Sequence, residues 1–474
     1  MSGGGLIQLV AQGPQDTYLT ANPQVTYFRD IYRKHTNFAL ESIEQSFNGL
    51  VDFGKRVQCV IARDGDLVSR LYLQATLPSI NVGEILGQTG VTDANASTFQ
   101  WVDHIGHALI NYVELEIGGQ IIDKQYGEWM YIWNELTLTS SKRGALDVMV
   151  GSDIRLCSNS LNATSNLCNT TSQYDALITP GLNACSPSYR GANNPLRFTK
   201  LVSCLPEVTL YVPLEFWFCR HQGLALPLIA LQYHEVKINL QMTNLNLLCN
   251  IVSPTGKAGL IFDHVSTTGL IEASFWADYI FLDTEERRRF AKGKHEYLIE
   301  QLQFTGAESV TGTVNNIKLS FNHPVKELVW VTQLDKWIDC HYGSSGGMNQ
   351  PFNFTDDTSE NPTVTARLQL NGQDRFDARY GTYFNFVQPY QHHTNTPAVG
   401  INVYSFALKP EEQQPSGTCN FSRITTSTLN VTLTPNTFVD FTTYATLTAK
   451  VRIYAVNYNV FSIVSGMGGL VYSN

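Results

Sequence analysis

Apolar and polar residues alternate along much of the chain in short runs. Leu71, Leu73, Ala75 and Leu77 place every second side chain on one face, and Pro78 ends the run. A period of two is typical of β-strands that bury one face. Comparable runs recur as far as the C-terminal region, separated by Gly, Pro and Asn turns, and no long amphipathic helix interrupts them. The pattern predicts an all-β chain of sandwich or barrel class.

One unit of this pattern occurs twice, about 250 residues apart. Each copy has an alternating strand, a Gly-containing turn, a Tyr-Gly pair and an aromatic stretch that predicts a short helix. The matching letters are LEIGGQ at 115–120 with YGEW at 126–129, and LQLNGQ at 368–373 with YGTY at 380–383. Gly-Gly and Asn-Gly tolerate the positive φ angles that a type I′ hairpin turn requires. We therefore predict one β-rich module built twice, as two sandwiches in tandem.

Changes in composition suggest how the chain is divided. Residues 1–25 are rich in Gly and Gln, with few large apolar side chains. Residues 151–194 and about 340–362 are polar stretches, and loops of such length are usually functional or mobile. Residues 250–270 contain Pro, Gly and Thr and form the best candidate linker. We predict an N-terminal arm at 1–25, a first domain at 26–262 with a long insertion loop at about 144–200, and a second domain at 263–474.

Charge and composition favour protein partners over nucleic acid. Of the 474 residues, 15% are charged, 43% are hydrophobic and 11% are aromatic. This balance suits a chain that covers much of its exterior with other chains, because interface cores are poor in charge and rich in aromatics. The net charge is −9, and the one basic run, at 287–289, follows two glutamates. We expect no direct nucleic-acid binding, which depends on many Lys and Arg contacts to phosphates.

No targeting or membrane segment is evident in the sequence. The longest apolar run, at 224–231, contains Pro227 and is far shorter than the roughly 20 residues of a membrane helix. The opening MSGGG lacks the features of a signal peptide, and Ser2 excludes simple N-myristoylation. The nine cysteines include no C-x-x-C pair, which favours reduced thiols and folding in the cytosol. We expect no membrane insertion.

Candidate chemistry is sparse. His104 and His107 form one close histidine pair and His392 and His393 the other, but neither has the supporting ligands of a zinc site. We interpret them as polar residues at strand ends. The sequence contains no phosphate-binding loop, and the charged stretch at 285–289 is interpreted as a solvated turn. We predict no enzyme activity and no catalytic, cofactor-binding or metal-binding residue.

Six Asn-x-Ser/Thr triplets are possible glycosylation sites, at Asn95, Asn162, Asn169, Asn353, Asn420 and Asn430. Asn162, Asn169 and Asn353 lie in the two polar stretches and are the candidates. The last two lie in or beside patterned strands, where burial is expected. We predict that Asn420 carries no sugar, because a packed Phe421 leaves little room beside it.

Several long stretches resemble the major capsid proteins of the large nucleocytoplasmic DNA viruses, most closely those of chlorella-infecting type. They extend from the N-terminal region to the last residues of the chain. The stretches are QGPQDTYLTANPQVTYF at 12–28, TNFALES at 36–42, GLALPLIALQYHEVK at 223–237, DYIFLDTEERRR at 278–289, HEYLIEQLQFTG at 295–306, YSFALKPEEQQPSGTCNFSRI at 404–424 and YNVFSIVSGMGGL at 458–470.

This resemblance implies a double jelly roll, two eight-stranded antiparallel β-sandwiches with short helices in the loops. It further implies a homotrimer whose six jelly rolls form a pseudo-hexagonal capsomer, and an icosahedral shell of a large double-stranded DNA virus tiled by such capsomers. Neighbouring capsomers, minor capsid proteins and penton proteins are the implied partners, and the virion capsid is the implied location, after assembly in the host cytoplasm. It also suggests glycosylation by virus-encoded transferases that need not follow the triplet rule.

Two other functions are compatible with tandem sandwiches. One is a carbohydrate-binding tandem β-sandwich protein, since jelly rolls also host lectins. The other is a cupin-like metalloenzyme, which needs a cluster of histidines that the sequence lacks. A lectin presents aromatic residues in its loops, whereas the loops here are rich in Ser, Asn and Thr. A stable trimer in solution favours the capsid function, and a monomer that binds sugars favours the lectin.

Overall fold

The computed structural model describes residues 3–24, 28, 30, 32–87, 98–152, 204–252, 258–338, 349–439 and 446–472. The chain forms two units, residues 1–38 and 39–474. The first unit contains helices α1 (Gly4–Val10) and α2 (Thr17–Thr20), neither of which has a buried residue. The sequence predicts a thin arm at 1–25, and both of these short helices lie in it.

Short strands and helices follow one another through the second unit. The strands are β1 Phe38–Gln45, β2 Phe47–Asn48, β3 Arg56–Val60, β4 Leu67–Leu77, β5 Ile80–Asn81, β6 Thr98–Trp101, β7 Ile110–Ile117, β8 Gln120–Tyr126, β9 Cys204–Leu205, β10 Val208–Pro213, β11 Leu226–Pro227, β12 Val236–Met242, β13 Cys249–Val252, β14 Glu272–Leu282, β15 His295–Val310, β16 Val314–Lys318, β17 Pro324–Leu334, β18 Thr363–Leu370, β19 Gln373–Asp374, β20 Arg379–Tyr380, β21 Ile401–Ser405, β22 Cys419–Asn420, β23 Ser427–Leu433, β24 Ala449–Val464 and β25 Met467–Leu470. The helices are α3 Val82–Gly87, α4 Ile105–Leu109, α5 Gly127–Thr137, α6 Ser140–Met149, α7 Trp217–Arg220, α8 Ala258–Thr268, α9 Thr284–Lys292 and α10 Gln388–His392, with a π-helix at Tyr383–Val387 just before α10.

The first half forms a sandwich of two antiparallel sheets. One sheet has the strand order β1-β14-β4-β10, and the other has the order β2-β3-β12-β7-β8. Alternate residues of each strand face the space between the sheets, as the period of two predicts. Leu73 of β4, Leu115 of β7 and Phe275 of β14 are fully buried there.

The second half repeats this arrangement, except that β2 has no counterpart. Its sheets have the orders β15-β24-β17-β21 and β16-β23-β18-β19. Strands β15, β24, β17 and β21 correspond to β1, β14, β4 and β10, and β18 corresponds to β7. The fold is a double jelly roll, as expected. Strand β17 pairs with β24 and β21 on its two sides, and Trp330 of β17 is fully buried in the second core.

The predicted repeat forms the predicted turns. Gly118 and Gly119 have φ angles of 60° and 84°, and Asn371 and Gly372 have φ angles of 51° and 77°. Positive φ at both central residues is the signature of the type I′ turn. The aromatic stretch after each turn is helical, which confirms that prediction as well.

Strand β14 belongs to the first sandwich, although the sequence analysis assigned it to the second half. It pairs with β4 along its length, with Phe275 opposite Leu73. The residues of a strand do not by themselves specify its pairing partner. The position of β14 along the chain therefore did not predict the sandwich to which it belongs. The strand partners change between Leu282 and His295. The domain bounds 1–25, 26–262 and 263–474 stay predictions, and the pairing favours a division later than residue 262.

Two further segments differ from the predicted elements. The charged stretch after β14 is helix α9, whose first turn is capped by the Asp283 carboxylate accepting from the Glu286 amide at 3.0 Å. Helix α8 lies in the candidate linker and buries Ile261 and Val265. Most of the predicted insertion loop lies outside the described residues, and its first residues complete α6.

Candidate assembly site: the seam between the two sandwiches

Helix α5 connects the first sandwich to the second. Its apolar residues Trp129, Ile132, Trp133 and Leu136 follow the spacing i, i+3, i+4, i+7 and so share one helical face. All four are at most 5% exposed and pack in one cluster with second-half side chains. Met130, on another face, packs in the core of the first sandwich. The helix therefore has one apolar face for its own sandwich and another for its neighbour.

The surface that receives α5 is the outer face of the sheet β15-β24-β17-β21. Val329 of β17 lies between Tyr454 of β24 and Val403 of β21 in the strand register. These three side chains pack against α5, while Leu328 and Trp330 point into the second core. We call this contact of α5 with the outer face of β17, β24 and β21 the seam. The seam was not predicted from the sequence, although the unbroken apolar run at 328–331 is typical of a strand buried on both faces.

Aromatic stacking and backbone hydrogen bonds hold the seam in register. The rings of Trp129 and Tyr454 lie 5.3 Å apart, and those of Tyr131 and Phe352 stack at 4.5 Å. Aromatic pairs of this kind contribute about 0.5–1.5 kcal/mol beyond their buried area. The Asn395 amide donates to the carbonyl at the end of α5 at 2.9 Å. The two halves are thus joined by specific contacts rather than by a linker alone.

Buried charges cross the seam as a paired network. Glu300 of β15 accepts from the Arg220 guanidinium at 3.0 Å and from the Lys326 ammonium at 2.5 Å. Lys326 is fully buried, and the Arg220 guanidinium lies 4.0 Å from the centre of the Trp133 ring. Buried charges are costly unless paired, so removing one partner destabilises the fold strongly. Arg452 and Glu128 form a second ion pair across the seam.

The histidine at the end of α10 is also a buried ion-pair partner. The His393 side chain is fully buried, with Nε2 at 3.1 Å from Glu327 and Nδ1 at 3.0 Å from Glu411. Burial alone would lower the pKa of His393, but the Glu327 carboxylate, with Glu411, raises the pKa to about 9. Burial would raise the pKa of Glu327, but His393 holds it below its usual value. The sequence analysis interpreted His393 as a polar strand-end residue, and nothing in the local pattern indicates its two distant partners.

The other histidine pair is part of the first sandwich. His104 precedes α4 with a φ of 52°, and His107 lies within α4 and is fully buried. Burial lowers the pKa of His107 to about 3, and the nearby His104 adds to the effect. His107 belongs to a helix and His104 directly precedes it, so the strand-end interpretation is wrong for this pair. Among the described residues, no group of three or more His, Cys, Asp or Glu side chains is placed to hold a metal ion.

The candidate glycosylation sites divide between described and undescribed parts of the chain. Asn162 and Asn169 lie outside the described residues. The Asn353 amide donates to Gln350 at 2.8 Å, and its oxygen accepts from the Thr355 hydroxyl at 2.7 Å. Asn420 is exposed beside a buried Phe421, so the expected burial of Asn420 is wrong, while Phe421 packs as predicted.

Two family models together match nearly the whole chain. "Major capsid protein N-terminus" matches residues 26–283, and "Large eukaryotic DNA virus major capsid protein" matches residues 286–469. The chain belongs to the large eukaryotic DNA virus major capsid protein family. Members of this family are structural capsid proteins rather than enzymes. Within the described ranges, no helix combines the length and apolar character needed to cross a membrane.

Relatives match this major capsid protein over its whole length. The major capsid protein of Phaeocystis pouchetii virus is 46% identical over 99% of this chain and 100% of its own. That of Paramecium bursaria Chlorella virus 1 is 38% identical over 99% and 100%. These relatives confirm the family that the sequence motifs suggested.

Solved structures agree with the fold. The PBCV-1 VP54 crystal structure, fitted into a reconstruction of the virophage Sputnik, has a TM-score of 0.68 at 35% identity, covering 95% of this chain and 100% of that one. A quasi-atomic model of the PBCV-1 virus capsid gives 0.66 at 34% identity, with coverage of 95% and 100%. The Faustovirus major capsid protein shares the fold, with a TM-score of 0.67 at 13% identity over 97% and 96%.

Proposed function

We propose that this major capsid protein forms homotrimers, each a pseudo-hexagonal capsomer, and that these capsomers tile an icosahedral shell. The observation that carries the proposal is the seam, which joins two sandwiches of matching strand order within one chain. Three copies around a threefold axis supply six such sandwiches. Six similar modules in a ring present a nearly hexagonal outline, which suits tiling.

Exposed apolar side chains support an obligate interface. Large apolar side chains lie exposed on the second unit, in several loops and strand ends. Those more than 60% exposed are Leu50, Tyr233, Val314, Tyr380, Tyr390 and Leu408. Obligate interfaces commonly bury roughly 2,000–5,000 Å² and are poor in charge. Such surfaces suit trimer contacts and contacts between neighbouring capsomers.

The arm offers a surface for further partners. Helix α1 exposes the apolar side chains Leu6, Ile7, Leu9 and Val10. We propose that the arm meets minor capsid proteins, and that penton proteins fill the fivefold positions of the shell. Deleting residues 2–20 should reduce particle assembly while leaving the trimer intact. Unchanged particle yield from the truncated chain would contradict this role.

The location and the glycans belong to the same proposal. The trimer would assemble in the host cytoplasm and reside in the virion capsid, without direct contact with DNA and without membrane insertion. Any sugars would lie in the stretches at 151–194 and 340–362, with Asn162, Asn169 and Asn353 as candidates. Glycopeptide mass spectrometry of virions tests this. Sugar on Asn420 and on neither stretch would reverse the assignment.

Sedimentation of the purified chain tests the trimer. We expect a species of three times the 52.9 kDa chain mass. Folding and association then form one linked equilibrium, so the melting temperature should rise with protein concentration over a roughly hundredfold range. A compact, sharply melting monomer at micromolar concentration would contradict the proposal and favour the carbohydrate-binding alternative.

A further inference from the structure

The two repeats place a helix at the same point of each sandwich. Gly127 begins α5 and Gly381 begins the helical stretch at 381–392, each directly after a tyrosine. A Cβ on Gly127 would collide with the carbonyl of Ile110, the first residue of β7, and a Cβ on Gly381 would collide with that of Thr363, the first residue of β18. Since β7 and β18 correspond, the two helices start in equivalent positions.

The inward side chain lies at the same position in each helical stretch, counted from the initial glycine. Met130, three residues after its glycine, packs in the first core, and Phe384, three residues after its glycine, packs in the second. The two helical stretches thus share this inward position, although Tyr383, the counterpart of the seam residue Trp129, packs against its own core. The positions further along each stretch can then be compared.

The outward faces have the same spacing but opposite environments. Ile132, Trp133 and Leu136 lie in the seam, with exposed fractions of 0%, 5% and 0%. The positions that match them are Phe386, Val387 and Tyr390, which are 44%, 40% and 84% exposed. We call these three residues the exposed helical face. This face is apolar, like the face of α5 that lies in the seam, but the described part of the chain does not cover it.

A matching receptor surface exists on the first sandwich. The seam uses the outer face of β17, β24 and β21, whose counterparts in the first half are β4, β14 and β10. We call the side chains on their outer side the first-half outer face. Its members include the half-buried Tyr72, Gln74 and Trp276, the 45%-exposed Tyr211, the exposed Arg70, and Asp278, which accepts from the Tyr72 hydroxyl at 2.7 Å.

The first-half outer face carries an aromatic patch beside Arg70 and Asp278. Trp276 and Tyr72 lie directly opposite each other on neighbouring strands and form an aromatic surface. The Trp276 indole nitrogen is buried and has no hydrogen-bond partner among the described residues. Tyr211 lies opposite Gln74 on the other side of β4. By contrast, β17 is buried on both faces over almost its whole length.

We propose that the exposed helical face of one copy docks on the first-half outer face of a second copy, repeating the seam between chains. This inference rests on the proposed trimer. Each copy carries both surfaces, so the contact between copies is head-to-tail. Such contacts form a closed ring when the rotation from each copy to the next returns to the first copy. Around the ring, contacts within a chain and contacts between chains would then alternate, each formed by an equivalent helix on an equivalent sheet.

Matched aspartate substitutions test the two surfaces. Tyr390→Asp on the helix and Tyr211→Asp on the sheet each place a charge in the proposed contact. Each should weaken trimer formation at least about 100-fold, so that sedimentation shows monomers at concentrations where the unmodified chain is trimeric. Ile121→Asp is the control, since Ile121 is 49% exposed on edge strand β8 of the other sheet, outside both surfaces. Circular dichroism and melting of each variant establish that the monomer remains folded.

Cross-linking identifies the surface that is touched. A photoreactive phenylalanine analogue at position 390 should join two chains, and peptide mass spectrometry should find the cross-link within 72–74, 208–213 or 272–282. If the unmodified chain is trimeric, this inference is overturned when the Tyr390→Asp variant stays trimeric or when the cross-links lie elsewhere. The proposed trimer would still hold in that case. A monomeric unmodified chain overturns both.

Discussion

The helices that follow the two repeats share a local sequence pattern and differ in what surrounds them. Each starts at a Tyr-Gly pair, and each sends one side chain into its own core. The first, α5, buries its second apolar face in the seam, whereas the second leaves Phe386, Val387 and Tyr390 exposed. Local pattern therefore specified the backbone of both helices, while the neighbouring surface determined whether the outward face serves folding or association.

The two helices are also held in place by different forces. The outward face of α5 is fixed by apolar packing and aromatic contacts with Tyr454 and Phe352. The residue directly after the second helix, His393, is fixed by Glu327 and Glu411. Apolar burial responds weakly to pH, whereas a buried ion pair depends on the protonation of its members. Mutation and a change of pH should therefore distinguish the forces that hold the two helices in place.

Truncation of the first outward face should have the largest effect. Trp133→Ala removes a buried indole from the seam and the ring beside the Arg220 guanidinium. Loss of a buried aromatic typically lowers the free energy of unfolding by about 3–5 kcal/mol. The matched variant, Val387→Ala, should lower it by less than about 1 kcal/mol in the monomer, because little apolar area is buried there. Denaturant unfolding of a monomeric background such as Tyr390→Asp measures both, and equal losses would contradict the comparison.

The anchor of the second helix should respond to pH. A histidine whose pKa is raised from 6.5 to about 9 contributes stability that is full below about pH 6.5 and is lost as pH rises through about 9. His393→Ala leaves Glu327 buried without this partner and should cost about 3–5 kcal/mol at pH 6. The melting temperature of the unmodified chain should fall more between pH 7 and 10 than that of His393→Ala. His392→Ala is the control, and parallel pH profiles for His393→Ala and the unmodified chain would rule out the anchor.

The shared helix start should give the smallest and most similar effects. In both Gly127→Ala and Gly381→Ala the new Cβ would collide with a backbone carbonyl, and overpacking of this kind typically costs about 1–3 kcal/mol. Gly144 in α6 has no atom within 4 Å of its Cβ position, so Gly144→Ala should be neutral or stabilise by up to about 1 kcal/mol. Thermal unfolding compares the three variants. A harmless change at either helix start would mean that the two helices do not begin alike.

These contrasts show which features the sequence made predictable. The turns at 118–119 and 371–372 depend on residues that tolerate positive φ, so they were readable locally. The assignment of β14 to the first sandwich depends on pairing with β4, some 200 residues earlier, and no local pattern encodes it. The family resemblance supplied the double jelly roll that periodicity alone left as a tandem sandwich.

The seam and the His393 anchor illustrate the same limit. The aromatic spacing in α5 was visible, but the identity of its receptor required the outer face of β17 to be located in space. Glu327 and Glu411 lie 66 residues before and 18 residues after His393, so their convergence is a property of the fold. Sequence patterns indicated which faces are apolar, and the three-dimensional arrangement shows which of them are already covered.

Hydrogen–deuterium exchange of the two helices tests the central claim most directly. Peptides covering 127–137 and 383–392 would be followed in the assembled chain and in the monomeric Tyr390→Asp variant. We predict that 127–137 is protected from exchange to the same extent in both, because the seam lies within one chain. We expect 383–392 to lose protection from exchange in the monomer. Equal protection of 383–392 in the assembled and monomeric states would contradict the claim that a second copy covers this helix in the assembly.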